Sequence, residues 1–66
     1  MKPRMLVTRE AKSIYITVEV DDKTWKKRYE QDSWATKEAN IIGEKIDRGE
    51  DVLEHIIKRR YRQIYA

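Results

Sequence analysis

The 66-residue sequence contains no cysteine, no phenylalanine, one proline and two glycines. Without cysteine there are no disulfides, and a single histidine, His55, leaves no donor set for a structural zinc site. Small secreted domains tend to be rich in cysteine, so its absence favours a reducing, cytoplasmic compartment. No apolar run approaches the ~18 residues of a membrane span, and the charged start lacks the apolar stretch of a signal peptide.

Motifs for catalysis are also missing. The sequence has no glycine-rich phosphate loop and no metal-ligand spacing, and no Ser or Cys nucleophile accompanies His55 in a known motif. A chain this short is also too small to enclose a typical ligand pocket. We therefore expect a protein that is not an enzyme, needs no cofactor or metal, and acts by binding a partner.

The length allows one domain, residues 1–66, with one core. A domain of this size buries only ~60% of the surface that its unfolded chain exposes, which makes it marginally stable alone. Disulfides and metals are excluded as additional stabilisation, so a homodimer is the remaining possibility for this chain. One form of it would pair the C-terminal helix with its copy.

Charge is abundant and unevenly distributed. Charged residues make up 41% of the chain, and the formal net charge is +3. Residues 33–51 are net negative, whereas residues 52–66 carry four basic side chains and one acidic side chain. A modest positive balance is compatible with nucleic-acid binding but does not require it.

The first half of the chain has the period-2 pattern of β-strands. In residues 13–20 Ile14, Ile16, Val18 and Val20 alternate with polar side chains, which predicts a strand with one buried face. Asp21-Asp22-Lys23 is a predicted turn, and residues 24–30 form the return strand. Residues 4–8 are predicted to form the first strand, followed by a turn over residues 9–12.

The period changes near residue 33. Ala35, Ala39, Ile42 and Ile46 form one stripe of an amphipathic helix, which Ser33 or Thr36 can cap and Gly49 can end. A second helix, capped by Asp51, is predicted to run toward Tyr65. The predicted fold is α+β, a three-stranded antiparallel meander followed by two helices (β-β-β-α-α).

Two basic surfaces follow from these patterns. Strand alternation places Tyr15 and Thr17 on the outer sheet face with Lys26, Arg28 and two glutamates. On the second helix, Leu53, Ile56, Ile57, Tyr61 and Ile64 form an apolar stripe, and His55, Lys58, Arg59 and Arg62 lie opposite. Either surface is an ordinary solvated face or a phosphate-binding one. The predicted nucleic-acid contacts are Tyr15, Thr17, Lys23, Lys26, Lys27, Arg28, Lys58, Arg59 and Arg62. Lys27, which falls between Trp25 and Tyr29, can alternatively pack its stem over Tyr29.

Two stretches within residues 13–49 form a recognisable pattern: Asp21-Asp22-Lys23-Thr24-Trp25-Lys26-Lys27-Arg28-Tyr29 and Ser33-Trp34-Ala35-Thr36-Lys37-Glu38-Ala39. With them, residues 13–49 resemble the arm-type (AP2-like) N-terminal DNA-binding domain of phage and transposon tyrosine recombinases. The resemblance implies a three-stranded sheet that enters the DNA major groove. Asp22 replaces the usual glycine, and the Thr-to-Glu spacing is one residue short. No recombinase catalytic domain follows in these residues, so we expect at most a stand-alone relative of the DNA-binding module.

The sequence leaves two functions open. The first is a small DNA-binding accessory or regulatory protein that contacts phosphates through its basic hairpin and C-terminal helix. The second is a phage-type interaction module that docks on a host protein and inhibits or regulates it. Trp34 either packs over the sheet edge or forms an exposed apolar patch with Ile41. The residues predicted for the protein interface are Trp34, Ile41, Tyr61 and Tyr65.

Overall fold

Four strands and two helices make up the computed structural model, which describes residues 2–64. The strands are β1 (Arg4–Glu10), β2 (Ser13–Val20), β3 (Lys23–Tyr29) and β4 (Arg62–Ile64), and the helices are α1 (Asp32–Asp47) and α2 (Val52–Lys58). The strands form one antiparallel sheet in the order β1-β2-β3-β4. The predicted α+β meander is confirmed, and β4 is an addition to it. Within the described part of the chain, no helix has the length and apolar character to cross a membrane.

Two-residue loops connect the first three strands. Ala11 begins the β1–β2 loop at φ 53°, and Asp21 begins the β2–β3 loop at φ 57°. Short hairpin loops need positive φ because only then does the loop follow the twist of the two strands. The predicted turn at Asp21 is confirmed. The first turn is tighter than predicted, because β1 continues to Glu10 rather than ending at Thr8.

The core lies between one face of the sheet and the two helices. Ile14, Ile16 and Val18 of β2 are buried on this face, as their alternation predicts. The main core cluster joins β2, α1, α2 and the residue before β4, and its members are Ile16, Val18, Ile42, Val52, Ile56 and Tyr61. Met5, Val20, Trp25 and Tyr29 pack against it from the same sheet face. We call the opposite sheet face, which no described helix covers, the outer face.

The ends of α1 agree with the sequence at the C-terminus but not at the N-terminus. Gly49 has φ 71°, as a residue just beyond a helix often does. At the other end, Gln31 occupies the N-cap position without a side-chain capping bond. Ser33 and Thr36 lie inside the helix, so the predicted cap was wrong. Asp32 in the first turn instead accepts a 2.6 Å hydrogen bond from Arg9 of β1.

The second helix is shorter than predicted. Asp51 caps it as expected, since its carboxylate accepts a hydrogen bond from the backbone amide of Leu53. The helix ends at Lys58, and Arg60 takes a left-handed φ of 63° that redirects the chain. Tyr61 then enters the core, and residues 62–64 pair with β3. The prediction of a helix continuing toward Tyr65 was therefore wrong, and so was the apolar helical stripe that included Tyr61 and Ile64.

Two adjacent isoleucines of α2 provide a matched test of this core. Ile56 is fully buried, whereas Ile57 is 57% exposed. We expect Ile56→Ala to lower the free energy of unfolding by about 2–5 kcal/mol, because it removes buried methyl groups and leaves a cavity. Ile57→Ala should change it by no more than about 0.5 kcal/mol. Urea unfolding of both variants measures this difference, and equal losses would contradict the arrangement of α2.

Candidate nucleic-acid interface

The outer face gathers polar and basic side chains from β2, β3 and β4. The strand register places Tyr15 opposite Arg28, Thr17 opposite Lys26, and Lys26 opposite Arg62 of β4. Since side chains directly opposite each other in antiparallel strands share a face, these residues form one surface. The sequence predicted this set for β2 and β3. It did not predict the contribution of β4, because that strand was expected to be helix.

A groove of about 330 Å³ opens along β3 and β4 on this side of the molecule. We call it the basic groove. None of the described residues that line it is acidic. Its lining consists of Tyr15, Lys26, Lys27, Arg28, Arg60, Arg62 and Ile64.

The cationic side chains of the basic groove differ in whether a carboxylate of the protein already pairs with them. Arg28 forms an exposed ion pair with Glu30 at 3.1 Å. Lys26 instead lies over the ring of Tyr15, with its nitrogen 4.4 Å from the ring centre. Within residues 2–64, no carboxylate pairs with Lys26, Arg60 or Arg62. These three side chains therefore carry the groove's uncompensated positive charge.

Two predicted contact residues of β3 lie away from the outer face. Lys27 borders the groove, but its ammonium donates a 2.7 Å hydrogen bond to the backbone carbonyl of Arg59 and lies 5.3 Å from the Tyr29 ring centre. Of the two interpretations of Lys27, the structure supports packing over Tyr29. Lys23 is exposed at the start of β3 opposite Val20, which packs against the core, so its position also belongs to the helix-covered face.

The basic stripe predicted for the second helix is divided in the structure. Lys58 is exposed on α2, in the helical layer, whereas Arg62 belongs to β4 and the outer face. Arg59 lies at the end of α2 with its Nε 3.9 Å from a carboxylate oxygen of Glu38. The expectation of an exposed His55 was wrong, because its side chain is only 12% exposed. Lys58 and Arg59 therefore do not extend the basic groove.

A buried carboxylate, Glu38 of α1, organises the other side of this region. Its Oε1 accepts hydrogen bonds from His55 Nε2 at 3.1 Å and from the Tyr29 hydroxyl at 3.4 Å. The Tyr29 hydroxyl lies 3.1 Å from that of Tyr61. Tyr29 has a single hydroxyl proton, which it donates to Glu38, so Tyr61 is the donor to Tyr29. Glu38 thereby connects α1, α2, β3 and the chain entering β4.

Sequence patterns did not identify this cluster. Glu38 lies between Ala35 and Ile42 on the buried face of α1, but a glutamate within a charged helix is usually solvated. The signal available was position, since residues 35, 38, 42 and 46 share one helical stripe. The partners His55 and Tyr61 come from segments distant in sequence, and periodicity gives no information about them.

Burial changes the ionisation of the two tyrosines in this cluster. It raises the pKa of Tyr29 above the ordinary value of 10.0; the hydrogen bond with Tyr61 lowers that pKa, and the Glu38 carboxylate raises it further. The pKa of Tyr61 is raised strongly, first by burial and then by the hydrogen bond to Tyr29. Both phenols are therefore held in the protonated form in the folded protein.

The structure keeps two of the residues predicted for a protein interface on one side of α1 and buries a third. Trp34 lies within α1 and is 55% exposed, so it does not pack over the sheet edge. Ile41 is half-buried seven residues later on the same side of the helix. Tyr61 is buried in the core and is not available to a partner. Tyr65 lies outside the described residues.

Comparison with known proteins found no matching family model, curated protein or solved structure. The resemblance of residues 13–49 to arm-type DNA-binding domains therefore stays a prediction. Among residues 2–64, no group of three or more His, Asp or Glu side chains is arranged to hold a metal ion.

The contacts of Glu38 lead to a prediction about stability: the buried Glu38 should stabilise the fold, whereas an exposed glutamate of the same helix should not. We expect Glu38→Ala to lower the free energy of unfolding by about 3 kcal/mol, because it leaves buried donors of His55 and Tyr29 without an acceptor. Glu38→Gln, which keeps one acceptor oxygen, should cost less. Glu44→Ala, at an exposed position of the same helix, is the control and should have an effect within about 0.5 kcal/mol. Chemical denaturation measures all three, and a loss for Glu44→Ala equal to that for Glu38→Ala would contradict the role of the cluster.

The tyrosines predict a loss of stability at alkaline pH. Their pKa is higher in the folded protein than the value of 10.0 that they regain on unfolding. The unfolded state therefore releases protons first, and the free energy of unfolding should fall as the pH rises above about 10. Tyr61→Phe should make this decline shallower. Urea unfolding at a series of alkaline pH values tests it, and parallel curves for parent and variant would refute it.

Proposed function

We propose that this protein binds nucleic acid through its outer sheet face, with the basic groove as the main phosphate-binding site. The observation that supports the proposal most directly is the convergence of Lys26, Arg60 and Arg62 at one groove without acidic lining. Cations without carboxylate partners are available to neutralise phosphates. Arg28 contributes less, because Glu30 already pairs with it.

The chemistry of the groove suits a phosphate backbone with nearby bases. Arginine presents a planar fork of donors that matches phosphate oxygens, whereas lysine offers a compact point charge. Tyr15 adds an aromatic surface beside them, and Thr17 adds a hydroxyl on the same face. Phosphate contacts of this kind position a protein on its target and do not by themselves read sequence.

The shape of the site favours an extended ligand over a small anion. The groove opens onto an uncovered sheet surface and is not an enclosed cavity, so a small phosphate compound would stay largely in solvent. A β-ribbon or sheet face can lie in the major groove of DNA. This docking mode is also the one implied by the resemblance of residues 13–49 to arm-type domains. We therefore propose double-stranded DNA as the ligand and an accessory or regulatory role.

Docking to a protein is the second candidate, and one observation favours it. Trp34 exposes 55% of its surface on α1, and exposed tryptophans are enriched among residues that dominate protein interfaces. This surface lies on the helical layer, away from the basic groove. Trp34→Ala should therefore leave DNA binding unchanged even if it abolishes capture of a protein partner.

The DNA-binding proposal predicts a specific loss on removal of two groove charges. We expect Lys26→Gln combined with Arg62→Gln to weaken binding to a mixed-sequence duplex. The slope of log K against log salt should become smaller by about 0.9 for each lost phosphate contact. Fluorescence-anisotropy titrations of the parent and the variant at several salt concentrations measure both effects.

The matched control removes the same charge from the helical layer. Lys37→Gln combined with Lys58→Gln lowers the net charge equally but leaves the basic groove intact. It should bind with nearly the parent slope. If the two double variants weaken binding equally, binding depends only on net charge and the groove has no special role. Absence of binding to the duplex by the parent at low salt would eliminate the DNA-binding function.

A further inference from the structure

The first strand of the sheet has an open edge. Among the described residues, β1 pairs only with β2, so along seven residues its outward backbone groups lack partners in this chain. Leu6 is 63% exposed on one face of this strand, and Val7 is 44% exposed on the other. A long edge with apolar side chains on both faces is a template for another strand, and monomeric proteins usually protect such edges.

The residues of β1 are complementary to a second copy of themselves. In an antiparallel pair with a two-fold axis at Val7, Arg4 lies opposite Glu10 of the second copy, and Leu6 lies opposite Thr8. Opposite charges at directly facing positions stabilise a strand pair. Within residues 2–64, neither Arg4 nor Glu10 is engaged in an ion pair. Each is therefore available to the second copy.

The register centred on Val7 pairs more residues of the open edge than the neighbouring two-fold registers do. Among two-fold registers, only an axis at Val7 pairs all seven residues of Arg4–Glu10. A shift of the axis to Leu6 or Thr8 leaves two residues unpaired and separates Arg4 from Glu10. The opposite edge of the sheet, β4, spans three of the described residues. It includes Arg62, and Arg60 lies two residues before it; both would repel the same residues of a second copy.

The helical layer leaves room for this pairing. α1 lies over β1 and β2, and Glu38 directs one flank of the helix toward α2. The other flank lies on the β1 side, since a Cβ on Gly43 would lie 3.8 Å from Met5 Cε. Helical spacing places Thr36, Asn40 and Asp47 on the same flank as Gly43. With strands about 4.8 Å apart, the α1 helices of two copies would be about 10 Å apart, which is an ordinary helix-packing distance.

We propose that this protein forms a homodimer in which the β1 strands of two copies pair antiparallel about Val7, giving a continuous eight-stranded sheet. The pairing provides partners for the outward backbone groups of both edges and brings Leu6 and Val7 of each copy beside apolar or small neighbours. It also adds buried surface to a domain that is marginal at this size. The inference does not depend on nucleic-acid binding.

Sedimentation of the full chain from low micromolar to millimolar concentration tests the proposal. The parent should show a monomer–dimer equilibrium and no larger species. Val7→Lys, which places two ammonium groups against each other at the axis, should raise the dimer dissociation constant about tenfold or more. The control, Ile57→Lys, changes another exposed apolar residue, on α2, which is 57% exposed against 44% for Val7, and should leave the constant unchanged.

A charge swap tests the register itself. Arg4→Glu alone and Glu10→Arg alone each place like charges opposite one another at both ends of the paired strands. Each should weaken the dimer about tenfold, and the double variant Arg4→Glu/Glu10→Arg should restore it. Arg4 lies opposite Glu19 of β2 in the strand register, so Arg4→Glu also creates an internal repulsion. The swap does not repair that repulsion, and recovery in the double variant therefore reports on the contact between copies.

Circular dichroism confirms that each variant is folded, and the charge swap keeps the test valid if Val7→Lys does not fold. A parent that stays monomeric at millimolar concentration overturns the proposal. A dimer that Ile57→Lys weakens and Val7→Lys does not would place the contact on α2. Growth beyond dimers would indicate β1 pairing with β4 of the next copy, and either result overturns the two-fold pairing. Slower hydrogen exchange of β1 amides at high concentration would support it.

Discussion

The two helices of this chain cover one face of a four-stranded sheet, and the rest of the molecule is arranged around that constraint. Ile16, Val18 and Ile42 define the side on which the chain has enough apolar surface to exclude water. The opposite side must be compatible with solvent, and there the strands carry threonine, tyrosine, lysine and arginine, together with Glu19 and the exposed Leu6. Within residues 2–64, the two helices leave one sheet face and the edge of β1 uncovered.

The contacts of Glu38 determine how the helices are placed on the covered face of the sheet. A buried carboxylate is costly unless several donors satisfy it, and here the donors come from β3 and α2. Tyr61 extends the network by its bond to Tyr29, and Lys27 caps the terminal carbonyl of Arg59. These contacts hold the end of α2 against the sheet, and they direct residues 62–64 alongside β3. The polar cluster on the inner side thus determines where Arg60 and Arg62 lie on the outer side.

Local sequence patterns were sufficient to predict most of the sheet. They were not sufficient to predict the structure of the C-terminal segment. The alternation in residues 13–20, the aspartate turn, the Asp51 cap and the glycine after α1 are local signals, and the structure agrees with them. After Lys58 there is no glycine or proline to end the helix, and Ile57, Tyr61 and Ile64 keep helical spacing. Tertiary contacts end the helix. Burial of Tyr61 and pairing of residues 62–64 with β3 compensate for the cost of the left-handed backbone at Arg60. Lys26 and Tyr15 were predicted on the outer face, and Arg62 was predicted as a contact on a helix. The positions of Arg60 and Arg62 beside Lys26 depend on that turn and could not be predicted.

The geometry of the proposed dimer keeps its two basic grooves separate. Each groove lies between β3 and β4, so six strand spacings separate the two grooves, which is about 30 Å. Each spacing also rotates the sheet by about 20°, so the grooves point in directions roughly 120° apart. A straight duplex cannot lie against both surfaces at once, so under the proposed function each subunit would engage its own segment of nucleic acid. The proposed pairing at β1 and the proposed phosphate binding at the groove therefore lie at opposite edges of one sheet, and we expect the loss of one to leave the other intact.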